Sequence, residues 1–181
     1  MFYKRSLRSV CLIGLCLAGL GAQAVEPGQP APNVQAPSLT DNKTLQLSQY
    51  QGQVIYLDFW ASWCPPCAQS FPVLNKLRNE LHDQGFEVIG VNLDKEPAKA
   101  LEFLKAYPVQ FPLVSDAQGV WPQQYGVKGM PYAYLIDRQG TVRQVLRGFN
   151  SGHLADITSQ VKALLKEPVG SVATHCTPDD W

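Results

Sequence analysis

Apolar residues fall into two kinds of run along the chain. From Gln53 to Trp60 (QVIYLDFW) they are nearly continuous and rich in β-formers, which predicts a strand buried on both faces. From Pro65 onward they keep helical spacing, with Ala68, Phe71, Leu74, Leu77 and Leu81 on one stripe and Gly85 beyond its end. Pro72 lies inside that helix, where its missing N–H predicts a kink. Phe86 to Leu93 predicts a second buried strand, Pro97 to Tyr107 a second helix opened by proline, and Phe111 to Val114 a short apolar piece. Tyr132 to Ile136 and Val142 to Leu146 predict two strands joined by a turn at Arg138-Gln139-Gly140. A last amphipathic helix follows Ser151-Gly152, with Leu154, Ile157, Val161, Leu164 and Leu165 on one face.

The order β, α, β, α, β, β, α specifies an α/β sandwich around a mixed central sheet, with parallel crossovers first and a hairpin second. No internal repeat or second domain shows in the pattern. A chain of 181 residues, 45% hydrophobic and 17% charged, suits one globular domain plus ends. We place that domain at residues 38–167. Residues 25–37 hold four prolines and no apolar period, so they are expected to form an extended linker or an arm lying along the domain. Residues 168–181 lack a core pattern and are expected to form a tail.

The beginning of the chain has a different character. Lys4, Arg5 and Arg8 precede an apolar run from Val10 to Gly21 and the small-x-small triplet Ala22-Gln23-Ala24, which together predict a signal peptide at residues 1–24. The mature protein is then periplasmic. The alternative is an uncleaved signal that anchors the protein facing the same compartment, although the run is shorter than the roughly 20 residues of a membrane span. Cys16 offers a lipid-attachment reading, against which stands the bulky Leu15 before it. Residues 1–24 contain three of the 15 basic residues and none of the 15 acidic ones, so export leaves a mildly acidic chain. That balance argues against nucleic acid as a partner. Cleavage also removes Cys11 and Cys16, leaving Cys64, Cys67 and Cys176 in a compartment that permits disulfides.

Cys64 and Cys67 enclose Pro65-Pro66 where the first buried strand turns into a helix. Free N–H groups and the positive end of the helix dipole favour a thiolate there, which makes Cys64 the attacking nucleophile. Cys67, one turn in, would resolve the mixed disulfide. A structural disulfide and a four-ligand zinc site drawing on His175 and Cys176 are the competing readings. Asp58 is a lone carboxylate within an apolar strand, a costly arrangement unless the acid is paired or protonated. Buried near Cys67, it could take that thiol's proton as the thiol attacks and return it later in the cycle; at a strand end it would instead tip into solvent. Pro131 opens a strand, which calls for either an edge strand or a cis bond. Cys176 is a spare thiol that could bond another chain, fold back on the site or do neither.

With DFWASWCPPC, Pro72 five residues after Cys67, and GMPYAYLIDRQG in place, the chain resembles the thioredoxin superfamily over about Ala31 to Lys166. It looks most like the exported TlpA-like (ResA-like) branch of thiol-disulfide oxidoreductases. The resemblance implies a thioredoxin-like three-layer sandwich with an extra βα insertion around Phe86 to Val114. It implies that Asp58 is the family's buried acid, Cys64 and Cys67 its redox pair, and Pro131 a cis-proline facing them. Met130 would offer backbone groups to an extended substrate segment, and Trp63 would border the same groove. Members that serve cytochrome c maturation often carry an acid just after the inserted strand or next to the cis-proline, and Lys95 and Tyr132 stand in those places here.

The implied activity is that of a cofactor-free, monomeric protein-disulfide reductase. Its partners would be disulfide-containing exported proteins and a membrane thiol-reductant donor. Pro65 and Pro66 lack N–H groups that could have reached the Cys64 sulfur, so the thiolate is less stabilised and the pair leans toward reduction. A disulfide oxidase or isomerase with the same residues is the alternative enzyme. A copper- or zinc-binding chaperone using Cys64 and Cys67 is the alternative from another class.

Overall fold

The computed structural model of the protein describes residues 24–41, 43–150, 152 and 154–169. Cys11, Cys16, Cys176 and all but the last residue of the expected signal peptide lie outside them. Five strands form the main sheet: β3 (Val54–Trp60), β4 (Phe86–Asn92), β5 (Leu113–Ser115), β6 (Tyr132–Ile136) and β7 (Val142–Arg147), counted after a small hairpin of β1 (Gln35–Pro37) and β2 (Thr44–Gln46). Their spatial order is β5-β4-β3-β6-β7. β3, β4 and β5 run parallel, while β6 is antiparallel to β3 and β7 to β6. Four helices, α1 (Pro65–Leu81), α2 (Pro97–Ala106), α3 (Val120–Tyr125) and α4 (Leu154–Lys166), complete the fold. This is the expected mixed sheet, with the unit from Phe86 to Val114 forming one side of it out to the edge strand β5.

Every residue of β3 and β4 is buried because both sheet faces are covered, which is why their sequences do not alternate. Val54, Tyr56 and Trp60 point into one apolar cluster with Phe71 and Leu74 of α1, Phe103 of α2 and Val161 of α4. Ile55, Leu57 and Phe59 point into the other, with Trp121 and Tyr125 of α3 and with Val25 and Val34 from the N-terminal segment. Two filled faces around one sheet make the three layers. On α1 the buried stripe runs through Cys67, Ser70, Phe71, Leu74, Leu77 and Leu81; Ala68, expected on it, is only half-buried. The helix continues through Pro72 without a break.

The β1–β2 hairpin and α3 are additions to the expected element order. Three-residue strands and a six-residue helix are too short to display a hydrophobic period. Because β1 pairs with β2, residues 35–46 join the N-terminal arm to the rest of the fold through a hairpin. Prolines in the arm cannot donate hydrogen bonds, so the arm is held by the N–H groups of Val25, Gly28 and Ala31 and by carbonyls, those of the prolines included. Trp121 Nε1 donates to the Gln35 carbonyl at 3.2 Å and the Tyr125 hydroxyl to the Pro32 carbonyl at 2.9 Å. The turn at Arg138-Gln139-Gly140 is shaped by Asp137, whose Oδ1 accepts from the backbone N–H groups of Gln139 and Thr141, with Gly140 at φ 83°. No helix among the described residues is long and apolar enough to cross a membrane.

Candidate redox site

The parallel strands β3 and β4 end at Trp60 and Asn92, and the chain leaves β3 through Ala61-Ser62-Trp63 into the first turn of α1. Cys64 is the N-cap of that helix, with extended backbone angles, and Pro65 and Pro66 occupy its first two positions. Neither proline has an N–H to direct at the Cys64 sulfur. The turn is closed by Cys64 N–H donating to the Ala61 carbonyl at 3.1 Å and Cys67 N–H donating to the Cys64 carbonyl at 3.0 Å. Cys64 and Cys67 form a disulfide with an S–S distance of 2.03 Å. Cys64 is 4% exposed and Cys67 fully buried, so an incoming thiol meets the first sulfur. Trp63, immediately before it, is 64% exposed, which makes it a large apolar surface beside the sulfur pair.

Asp94, which follows β4, holds this loop from the side. Its Oδ2 accepts from the backbone N–H of Ser62 at 2.9 Å and from Asn92 Nδ2 at 2.7 Å, and its Oδ1 accepts from the Ser62 hydroxyl at 2.9 Å. Asn92 Oδ1 in turn accepts the Asp94 N–H at 3.2 Å. Asp94 is not among the residues singled out from the sequence; its neighbour Lys95 is. The available signal was a polar residue at each of positions 92 and 94, after the stretch Val88-Ile89-Gly90-Val91.

Asp58 is the fifth of seven residues in β3 and is 2% exposed, so the solvent-tipped reading fails. It shares the α1-facing side of the strand with Tyr56 and Trp60, and the Trp60 ring packs on Phe71 of α1 at 4.7 Å between centroids. Across the sheet its register neighbours are Gly90 and Ala133. Oδ2 has no hydrogen-bond partner among the described residues. Burial pushes its carboxyl up to about 8.

The Met130–Pro131 bond is cis. Since β6, which Pro131 precedes, lies between β3 and β7, the edge-strand reading of this proline is excluded. Phe59 pairs with Tyr132, so Pro131 falls at the end of β3 that leads to Cys64. The Pro131 carbonyl accepts from Gly148 N–H at 2.9 Å. Met130 is half-buried and packs against the cluster that contains Cys64 and Cys67. Its backbone N–H and C=O make no bond to another backbone group among the described residues. The structure thus brings Asp58, Trp63, Cys64, Cys67, Met130 and Pro131 to one end of the sheet. An apolar groove of about 230 Å³, lined by Ala31, Leu47, Tyr50, Ile55, Ile136 and Gly140, opens at the other end, away from the sulfur chemistry.

Comparison with known proteins gives a consistent picture. The sequence profile of the Redoxin family matches residues 26–164. The thiol-disulfide oxidoreductase ResA of Bacillus thuringiensis is 32% identical over 126 residues, covering 70% of this chain and 72% of the relative. ResA of Bacillus subtilis is 30% identical over 142 residues, covering 77% and 79%. Among solved structures, a Chlorobium tepidum protein provisionally named thiol:disulfide interchange protein DsbE superposes with a TM-score of 0.76 at 40% identity, over 78% of this chain and 99% of its own.

Proposed function

The chain belongs to the Redoxin family and is a thiol-disulfide oxidoreductase, and we propose that it works as an exported reductase of disulfides in other exported proteins. What carries the reading is the closed Cys64–Cys67 bond at the start of α1, together with a buried acid on the α1-facing side of β3 whose Oδ2 has no partner among the described residues. In the reducing half-cycle the Cys64 thiolate attacks one sulfur of the substrate disulfide, forming a mixed disulfide and releasing a substrate thiolate that takes a proton from water. Cys67 then gives its proton to the Asp58 carboxylate and attacks the Cys64 sulfur. The second substrate sulfur leaves as a thiolate that takes a proton from water, and the enzyme is left oxidised with Asp58 neutral.

Recharging runs the other way. A thiolate of the membrane donor attacks Cys64, Cys67 leaves, and the Asp58 proton neutralises it; the donor's second thiol then frees Cys64. A neutral Asp58 in the disulfide form suits this step, because a carboxylate beside the departing Cys67 thiolate would oppose it. Met130, whose backbone N–H and C=O bond no other backbone group among the described residues, stands beside cis-Pro131 and is suited to pair with an extended substrate segment, and exposed Trp63 would cover that segment's apolar side chains. Export to the periplasm rests on the basic, apolar and small-x-small sequence at residues 1–24.

The direction of electron flow is tested by equilibrating the protein with dithiothreitol buffers and measuring the potential of the Cys64–Cys67 couple. With no proline N–H to stabilise the Cys64 thiolate, the value should lie near the roughly −270 mV of thioredoxin; one near the roughly −120 mV of a strong oxidant would make this a disulfide-forming enzyme. Cys64→Ser should abolish reduction of insulin disulfides, and full activity in that variant would remove the dithiol mechanism altogether.

A further inference from the structure

β3, β4, β5 and β7 end, and β6 begins, on the same side of the sheet, as the pairs Phe59–Tyr132 and Tyr132–Arg147 require. Cys64 opens on that side, and three exposed basic side chains stand there too, two on loops and one at the end of β7. Lys95 follows Asp94, the residue bonded to Ser62, and its ammonium donates to the Ala117 carbonyl at 2.7 Å. Lys128 lies in the segment between Gly126 and cis-Pro131. Arg147 is level with Tyr132, and the next residue, Gly148, donates to the Pro131 carbonyl.

Among the described residues none of these three cations has a carboxylate within 4.0 Å, whereas Lys43, Lys76, Lys99 and Lys105 all do. The acids nearby are already committed. Asp94 serves Ser62 and Asn92, Asp116 accepts from the backbone N–H groups of Gly119, Val120 and Trp121, and Glu96 pairs with Lys99 at 2.8 Å. The Arg147 guanidinium is held above its ordinary range first by the Tyr132 hydroxyl and to a smaller extent by the charge of Glu26, which forms no ion pair with it. Three cations without a carboxylate partner among the described residues therefore stand on the side of the sheet where Cys64 opens, on a chain that, after residue 24, carries more acids than bases. Such a field draws in and orients acidic partners and repels basic ones.

We infer that Lys95, Lys128 and Arg147 select protein substrates whose reducible disulfide is flanked by acidic residues. This specificity rests on the reductase reading above. In an extended segment paired alongside Met130, residues advance about 3.3 Å each, so acids within two positions of the reacting cysteine lie within about 7 Å of it, less than the Debye length of about 8 Å.

The test uses two disulfide-bonded peptides of identical length, one with glutamates and one with lysines flanking each cysteine. Their kcat/KM values are measured at low and high ionic strength with the wild-type protein and with the Lys95→Glu, Lys128→Glu double variant. We expect about a tenfold preference for the acidic peptide at low salt, shrinking toward unity at high salt and inverting in the double variant. Using the ratio cancels any change in Cys64 reactivity, which both peptides share. Should the double variant not fold, the salt dependence of the wild-type ratio decides alone. Equal rates, a preference unmoved by salt, or a preference for the lysine peptide would overturn the specificity and leave the reductase standing. Failure to reduce either peptide would overturn both.

Discussion

Asp58 on β3 lies level with Gly90 on β4, one of two neighbouring strand positions where a side chain could bring a counter-charge to the acid. Nothing larger than hydrogen fits there. A Cβ on Gly90 would sit 2.6 Å from Leu113 Cδ2, 3.0 Å from Trp60 Nε1 and 3.3 Å from Phe111 Cε2. On the other flank Ala133 presents only a methyl group. The acid therefore rests among apolar walls, and its proton is held by desolvation alone.

That isolation predicts a pH signature. The folded-state value of about 8 lies above the ordinary carboxylate value, so the stability contributed by the neutral acid is complete below about pH 4 and is lost as pH rises through about 8. Over that window the wild type should lose on the order of several kcal/mol that Asp58→Asn, which cannot ionise, retains. Urea midpoints at about pH 5 and pH 9 check this, and parallel profiles for the two proteins would mean that Asp58 is already ionised at neutral pH. The same variant removes the acceptor for the Cys67 proton. Insulin-disulfide reduction should fall by about 10² with Cys64 alkylation intact.

Gly90→Ala tests the wall itself. The new methyl must displace Leu113 or Trp60, both buried, and overpacking of that kind costs about 1–3 kcal/mol. The urea midpoint should drop with an unchanged slope. An unaltered midpoint would show that Leu113 moves aside freely.

Some of this was legible in the sequence, and what was missed has a common cause. β3, β4, α1 and α4 are long enough for an apolar period to emerge, and Asp58 stood out as a polar residue within a seven-residue apolar run. The packing need at Gly90 is set by Leu113, Trp60 and Phe111, which only the folded sheet brings together. Asp94 binds Ser62 across 32 residues, a link with no local pattern. The choice between edge strand and cis bond at Pro131 depended on where β6 sits in the sheet, a property of the whole topology.

At the far end of α1, Arg78 donates to Glu87 on β4 through Nε at 2.9 Å and Nη2 at 3.0 Å, with His82 Nδ1 3.4 Å from the same carboxylate. The Glu87 side chain is almost wholly buried. Glu87→Gln keeps the volume but leaves the guanidinium facing a neutral acceptor, and should cost about 1–3 kcal/mol. A thermal melt that is unchanged would place this pair among ion pairs that contribute nothing measurable.

Asp94 accepts three hydrogen bonds, two of them from the residue that precedes Trp63-Cys64. Asp94→Ala leaves the Ser62 N–H, the Ser62 hydroxyl and the Asn92 amide without their acceptor, which should destabilise the oxidised protein by about 2–4 kcal/mol. Asp94→Asn keeps one acceptor oxygen but turns an NH₂ group toward donors, so its effect should be intermediate. Because Ser62 lies two residues before Cys64, loss of these bonds is expected to shift the nucleophile as well as to cost stability. We expect insulin-disulfide reduction to fall in the order wild type, Asp94→Asn, Asp94→Ala, measured at a temperature where all three remain folded. If both variants lose stability but reduce insulin at the wild-type rate, Asp94 holds the fold together without positioning the nucleophile.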